Sequence, residues 1–150
     1  MLKSYIHNIH NGVDTAYIYI WLSKKHKLVY VGMTNSFAGS IGRANGHFNR
    51  RGTLRKRFQQ YKGYGIEKVD DLILLSFPLP KKKKYTTVET SYREAIEVIV
   101  QKELLKIRGT FNPTFDVISW VRDSSRTNNF EVKKLATQIV TLFKTGYNGF

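Results

Sequence analysis

Residues 15–33, TAYIYIWLSKKHKLVYVGM, contain two segments that favour strands, with a short polar link between them. The first segment, residues 15–21, and the second, residues 27–33, are rich in β-branched and aromatic side chains, which suit a pleated, half-buried surface. Two adjacent strands with so short a link form an antiparallel hairpin. We therefore expect a small antiparallel sheet built around this hairpin.

The segment that follows the hairpin has the apolar spacing of a helix. Ile41, Ala44 and Phe48 share one face of such a helix. Arg43 and His47 lie four residues apart, which places them together on a neighbouring face. The sequence therefore predicts a helix that presents an arginine and a histidine side by side.

The remainder of the chain predicts more helices and another buried strand. We expect a basic helix over 54–61, a strand over 70–77, a long helix from Thr86 or Thr87 to about Ile107, a strand or sheet edge over 115–120, and a last helix over 131–143. This order, β-β-α-(α)-β-α with a helical tail, predicts an α+β domain whose sheet is flanked by helices. We divide the chain into a lead-in (1–14), a main domain (15–116) and a C-terminal extension (117–150) packed on the same domain.

The charge of the chain favours a polyanionic partner. Lys and Arg number 25 against 11 acids, a formal net charge of +14. Residues 15–66 contain no Asp or Glu. The basic residues of this tract that we expect to contact nucleic-acid phosphates are Lys24, Lys25, Lys27, Arg50, Arg51, Arg55, Lys56 and Arg57. Charge alone suits an RNA-associated protein equally well.

Several classes of protein are excluded by composition. The chain has no cysteine, which removes disulfide frameworks, thiol nucleophiles and Cys-based zinc sites. No apolar run is long enough to span a bilayer, and residues 1–5 have no signal-peptide core, so we expect a cytoplasmic protein without a membrane partner. His7 and His10 lack partners at metal spacing, and no Walker-type loop is present.

The two strands carry a pair of short motifs. Tyr17-Ile18-Tyr19 and Tyr30-Val31-Gly32 resemble the two half-motifs of the GIY-YIG nuclease family. The first departs from the family name because Tyr17 stands where the glycine is expected, while Tyr19 keeps the tyrosine of the third position. The resemblance implies a GIY-YIG-like fold and covers residues 16–116.

The later parts of the family pattern are also matched in order. Arg43 resembles the helix arginine of the family and His47 the histidine found in several branches, with residues 36–40 taken as a small insertion. Asn112, in Thr-Phe-Asn-Pro, resembles the asparagine just past the later helix. Glu97 is the best match to the family's glutamate, and Glu94 and Glu103 stay open as alternatives.

The resemblance implies phosphodiester hydrolysis with one Mg²⁺ or Mn²⁺ held by Glu97. Arg43 would offer its planar fork to the phosphate, with His47 assisting it or relaying a proton. A tyrosine beside a metal and an arginine can have a lowered phenol pKa, and we favour Tyr19 as the base. Tyr30 would bind near the phosphate. Asn112 would orient the glutamate or a tyrosine.

We therefore expect a Mg²⁺-dependent DNA endonuclease acting on duplex DNA, either a small restriction-type enzyme or a phage or mobile-element nuclease. A homodimer is one form it can take. The alternative is a basic, non-catalytic nucleic-acid-binding protein on a decayed GIY-YIG fold, which the missing first glycine favours. A ribonuclease is a third candidate. Taken singly, Tyr19 and Tyr30 also suit ordinary cross-strand packing.

Overall fold

The predicted hairpin forms the centre of a four-stranded sheet. In the computed structural model, which describes residues 15–149, β1 (Tyr17–Ser23) pairs antiparallel with β2 (Leu28–Thr34). On its other side β1 pairs antiparallel with β3 (Ile73–Pro78). The predicted lead-in, residues 1–14, lies outside the described residues.

The fourth strand corrects the expectation of a purely antiparallel sheet. The two-residue strand β4 (Asp116–Val117) runs parallel to β2, so the sheet is mixed and has the order β3-β1-β2-β4. The chain passes from β3 to β4 through a long helix, and a crossover of this kind allows β4 to pair parallel with β2. The predicted α+β class, with helices flanking the sheet, is confirmed.

Five α-helices accompany the strands in residues 15–149. They are α1 (Gly39–Phe48), α2 (Thr53–Lys62), the short α3 (Lys83–Thr86), α4 (Ser91–Ile107) and α5 (Phe130–Tyr147). The long helix α4 begins later than the predicted start at Thr86 or Thr87. Buried Arg93 explains this, since its guanidinium donates to the carbonyls of Tyr85 and Thr87 and so holds α3 apart from α4.

Alternation along β1 separates two apolar cores. Ile18, Ile20 and Leu22 face a large core that also contains residues of α4 and α5. Tyr19 and Trp21 point to the opposite face and pack in a second core with residues of β2 and α2. The sheet is thus covered on both faces, and the motif tyrosines lie on the α2 side.

The C-terminal helix α5 packs in the large core. Its residues Val132, Ala136, Ile139 and Phe143 are buried there together with residues of α4. Asn129 caps the helix by accepting a hydrogen bond from the backbone N–H of Val132. The boundary at residue 116 stays a prediction. Across residues 15–149, none of the helices has the length and apolar character that a membrane crossing requires.

Gly32 makes room for the ring of Tyr19. The two residues face each other across the β1–β2 pair. A Cβ atom at position 32 would lie 2.3 Å from the phenolic oxygen of Tyr19, which is far inside van der Waals contact. The glycine of the second half-motif is therefore required by the packing of the tyrosine of the first.

Candidate active site

Three rings from two strands and α1 cluster under the sheet. Tyr19 stacks on Tyr30 with 6.5 Å between ring centroids. His47 meets both rings edge-on, at 5.4 Å from Tyr19 and 5.2 Å from Tyr30. All three side chains are buried. The helix spacing that placed Arg43 beside His47 also brings Arg43 to this cluster, where it hydrogen-bonds Tyr19.

The hydrogen bonds of His47 define its tautomer. Its Nδ1 accepts from the backbone N–H of Leu54 at 3.4 Å, so the ring proton is on Nε2. Nε2 then donates to the phenolic oxygen of Tyr19 at 2.6 Å. Burial, followed by the charge of Arg43, lowers the pKa of His47 to about 4. His47 is therefore a neutral donor at physiological pH.

Both motif tyrosines resist ionisation in this structure. Burial raises the pKa of Tyr19 well above its ordinary value, and its neighbour Tyr30 adds to the effect, while the hydrogen bond from Arg43 opposes it. Burial and the charge of Glu97 raise the pKa of Tyr30 to about 12. Desolvation thus outweighs the arginine at both phenols, and the lowering of the phenol pKa expected beside a metal and an arginine stays a prediction.

A pocket opens beside this cluster. Its volume is about 220 Å³, and it is lined by Tyr30, Met33, Arg43, Thr53, Glu94, Glu97, Val98, Gln101, Trp120, Arg122 and Asp123. Tyr30 lines it, whereas Tyr19 is only 2% exposed and lies behind. The pocket thus joins a phenol, an arginine and carboxylates from separate elements of the fold.

Two of the three candidate glutamates reach the pocket. Glu97 and Glu94 line it. Glu103 instead makes an ion pair with Lys106 at 2.7 Å on the surface of α4. The negative charge of Glu97 also contributes to the raised pKa of Tyr19, Tyr30 and Arg43, so Glu97 lies close enough to interact with the whole cluster. The geometry therefore favours Glu97, with Glu94 as its neighbour.

The carboxylate of Glu97 is poorly stabilised as an anion. Its Oε1 accepts one hydrogen bond from Gln101 at 3.0 Å. Burial, and then the charge of Glu94, raise the pKa of Glu97 to about 7, although Arg122, Gln101 and Arg43 act in the opposite direction. A half-buried carboxylate with an acidic neighbour and open volume beside it suits a hard divalent cation that keeps most of its waters. The residues present therefore fit such an ion.

The comparison with protein families agrees with this arrangement. The sequence model of the GIY-YIG catalytic domain matches residues 15–102, more than half of the chain. The chain belongs to the GIY-YIG family. Comparison with curated proteins and with solved structures finds no significant match. Membership makes the chain a nuclease by family, and nucleases of this family act on nucleic acids and generally use a divalent metal.

The asparagine expected in the GIY-YIG site does not line the pocket. Asn112 is exposed, follows the end of α4 and is not among the residues that line the pocket. Ten residues of helix separate Glu97 from Ile107, a distance of about 15 Å at 1.5 Å per residue. The predicted role of Asn112 as an orienting group therefore finds no support in its position, and Gln101 contacts Glu97 instead.

The predicted phosphate-binding residues fall into two groups. Arg50, Arg51 and Lys56 are exposed around α1 and α2, and Arg57 of α2 contacts the ring of Trp120. Arg55 is engaged by Glu67 and by the carbonyl of Phe48. Arg57 thus links the α1–α2 group to a residue that lines the pocket.

The hairpin-turn lysines form the second group. Lys25 is paired with Asp70 at 2.7 Å, and the ammonium of Lys24 lies 4.9 Å from the ring centroid of Tyr147. Lys27 is exposed in the same turn. His26, Asp70 and Asp71 bring their ligand atoms within 4.8 Å of one another there. Lys25 pairs with Asp70, and Asp71 accepts hydrogen bonds from the Ser23 hydroxyl and from the backbone N–H of Lys25, so we interpret the cluster as structural.

Several residues that line the pocket were not among the site residues predicted from the sequence. Gln101 lies four residues after Glu97 on one helix face, so helical spacing alone could have suggested it. Trp120, Arg122 and Asp123 come from the irregular segment after β4. That segment reaches the pocket only because the backbone N–H groups of Ile118 and Val31 attach it to β2.

Proposed function

We propose that this chain is a DNA endonuclease that hydrolyses phosphodiester bonds in the pocket, with one Mg²⁺ or Mn²⁺ held by Glu97. The observation that carries the proposal is the convergence of Arg43, Glu97 and Tyr30 on one pocket of a GIY-YIG domain. Hydrolysis needs a charge sink for the phosphate, an acceptor for the proton of water and a stabilised leaving oxygen. These three side chains supply groups suited to the first two.

Charge stabilisation is assigned to Arg43 and to the cation site. The guanidinium of Arg43 presents a permanent charge and a planar fork to the non-bridging oxygens of the phosphate. A cation held by Glu97 would neutralise negative charge on the phosphate and lower the pKa of a water molecule bound to it. Arg122 also lines the pocket and offsets the negative charge of Glu97.

The proton acceptor is assigned to Tyr30, acting as its phenolate, rather than to Tyr19, which the sequence favoured. Tyr30 lines the pocket, while Tyr19 lies behind it and hydrogen-bonds to it. The oxygen of Tyr19 is already engaged by Nε2 of His47 at 2.6 Å and by the charge of Arg43, so it is less available to a water molecule. The negative charge of Glu97 helps to raise the pKa of Tyr30, and a cation bound to Glu97 would remove this contribution.

Duplex DNA is the substrate that we assign to the basic surface around α1 and α2. Arg57 contacts Trp120 at the pocket, and Arg50, Arg51 and Lys56, which lie on or just before the same helix, would extend this surface along the phosphate backbone. A restriction-type enzyme and a phage or mobile-element nuclease both fit this assignment, as does a homodimer. The cytoplasm remains the compartment that we expect for it.

Nicking of supercoiled plasmid DNA tests the proposal. The native chain should nick the plasmid with Mg²⁺ and not with EDTA, while Arg43→Ala and Glu97→Ala should lose the activity. Glu103→Gln is the matched control, because Glu103 lies on the same helix outside the pocket. Binding without cleavage on duplex, branched and single-stranded DNA would instead support the non-catalytic alternative. Cleavage of structured RNA alone would identify a ribonuclease.

The non-catalytic alternative rested on the missing glycine of the first half-motif and on the uncertain choice of glutamate. Tyr17 is 2% exposed and faces Thr34 across the hairpin. It does not line the pocket. The substitution of glycine by tyrosine is therefore accommodated within the sheet and gives no reason to expect a disrupted site.

A further inference from the structure

An exposed tryptophan lies at the rim of the pocket between two arginines. Trp120 is 65% exposed, although a side chain of this size usually buries most of its surface. The guanidinium of Arg57 lies 4.6 Å from its ring centroid, and that of Arg122 lies 5.3 Å from it. Trp120 and Arg122 line the pocket together with Glu97. An aromatic surface and two cations therefore adjoin the proposed catalytic groups.

The backbone before Trp120 is attached to the strand that carries Tyr30. The N–H of Ile118 donates to the carbonyl of Val29 at 2.9 Å, and the hydroxyl of Ser119 accepts from the N–H of Val31. Ile118 and Ser119 are both buried. These hydrogen bonds to β2 thus fix the position of the backbone next to Trp120.

Packing does not account for a tryptophan at this position. The side chain belongs to neither apolar core, and its contacts with Arg57 and Arg122 are made at the surface. An exposed cation–π contact strengthens an association about two- to fivefold. Stacking of a nucleobase on an aromatic side chain is worth about five- to 150-fold. A base can therefore displace one guanidinium from the indole and leave it to bind a phosphate.

We propose that Trp120 stacks on an unpaired base of the DNA substrate next to the scissile phosphate. Arg57 and Arg122 then bind the phosphates that flank this base. The inference rests on the proposed nuclease function. Inside an intact duplex the faces of each base are covered by its neighbours, so this platform engages a bulged, flipped or single-stranded base. Within the duplex substrate, a position with a bulged or flipped-out base is thus the preferred cleavage position.

Binding in EDTA tests the inference without relying on cleavage. The full chain is titrated with a fully paired duplex, with the same duplex carrying one bulged base, and with single-stranded DNA. The chain has two tryptophans, and Trp21 is buried, so stacking on Trp120 should quench the exposed part of the fluorescence. Trp120→Ala and Trp120→Phe are compared with Phe130→Ala, a control at an exposed aromatic residue on α5.

We expect the native chain to bind the bulged duplex about tenfold more tightly than the paired one. Trp120→Ala should remove this preference, Trp120→Phe should restore part of it, and Phe130→Ala should keep it. Equal preference in native protein and Trp120→Ala would overturn the inference. A uniform loss on all three DNAs would also overturn it, because Trp120 would then act only by supporting Arg57 and Arg122. Neither of these results bears on Mg²⁺-dependent cleavage.

Discussion

Replacing Glu97 with glutamine should stabilise the metal-free protein while removing its activity. In the folded protein, burial and the neighbouring Glu94 raise the pKa of Glu97 from 4.5 to about 7. Because the folded-state pKa lies above the unfolded-state value, stability is greatest when the carboxyl is protonated in both states. It then declines as the pH rises from the unfolded-state pKa through the folded-state pKa. Glutamine keeps the shape of the side chain and removes this titration.

The magnitude follows from the size of the shift. A difference of about 2.5 units corresponds to about 3 kcal/mol at pH 8, where Glu97 is ionised in both states. At about pH 5, where Glu97 stays protonated in the folded protein, the same calculation gives a destabilisation of under about 1 kcal/mol. Glu97→Gln should therefore raise the free energy of unfolding by up to about 3 kcal/mol at pH 8 and much less at pH 5.

Urea denaturation in EDTA at the two pH values measures this difference. Glu103→Gln serves as the control, since Glu103 is part of a surface ion pair with Lys106 and should change little at either pH. Saturating Mg²⁺ should stabilise the native chain and leave Glu97→Gln unchanged. An equal or lower stability of Glu97→Gln at pH 8, or an effect that does not depend on pH, would refute the reasoning.

Three further substitutions test other parts of the site. Gly32→Ala should lower the free energy of unfolding by about 1–3 kcal/mol and reduce cleavage, because its Cβ would displace the ring of Tyr19; equal urea midpoints for variant and native chain would contradict this. His47→Leu should cost about 1–3 kcal/mol, because it leaves the N–H of Leu54 and the oxygen of Tyr19 without their partner; thermal melts measure it, and an unchanged melting temperature would count against the assigned hydrogen bonds. Asn112→Ala should leave the plasmid-nicking rate unchanged, since Asn112 is exposed and outside the pocket; a large loss of rate would return it to the catalytic set.

The parts of the fold that depend on local pattern were predictable from sequence. The β-branched and aromatic content of residues 15–21 and 27–33, with the short polar link between them, specified the hairpin, and β1 and β2 occupy nearly those ranges. Helical spacing put Arg43 beside His47, and both contact Tyr19. These features depend on neighbours within a few residues or across one short link, so the sequence specifies them directly.

The parts that depend on distant contacts were not predictable. Strand β4 is only two residues long and exists through parallel pairing with β2. Arg122 and Asp123 reach the pocket through that pairing, and no local pattern marks them. Burial outweighs Arg43 in setting the pKa of Tyr19, and the degree of burial cannot be read from the position of Arg43 in the sequence. The late start of α4 likewise depends on the buried contacts of Arg93.

The central claim is tested most directly by the single-turnover rate of DNA cleavage with Mg²⁺. This rate is measured side by side for the native chain, Glu97→Gln and Glu103→Gln. The pocket geometry predicts cleavage by the native chain and by Glu103→Gln at the same rate, with none by Glu97→Gln although it folds and binds DNA. Cleavage by Glu97→Gln at the native rate would contradict the assignment of the metal and the reaction to this pocket.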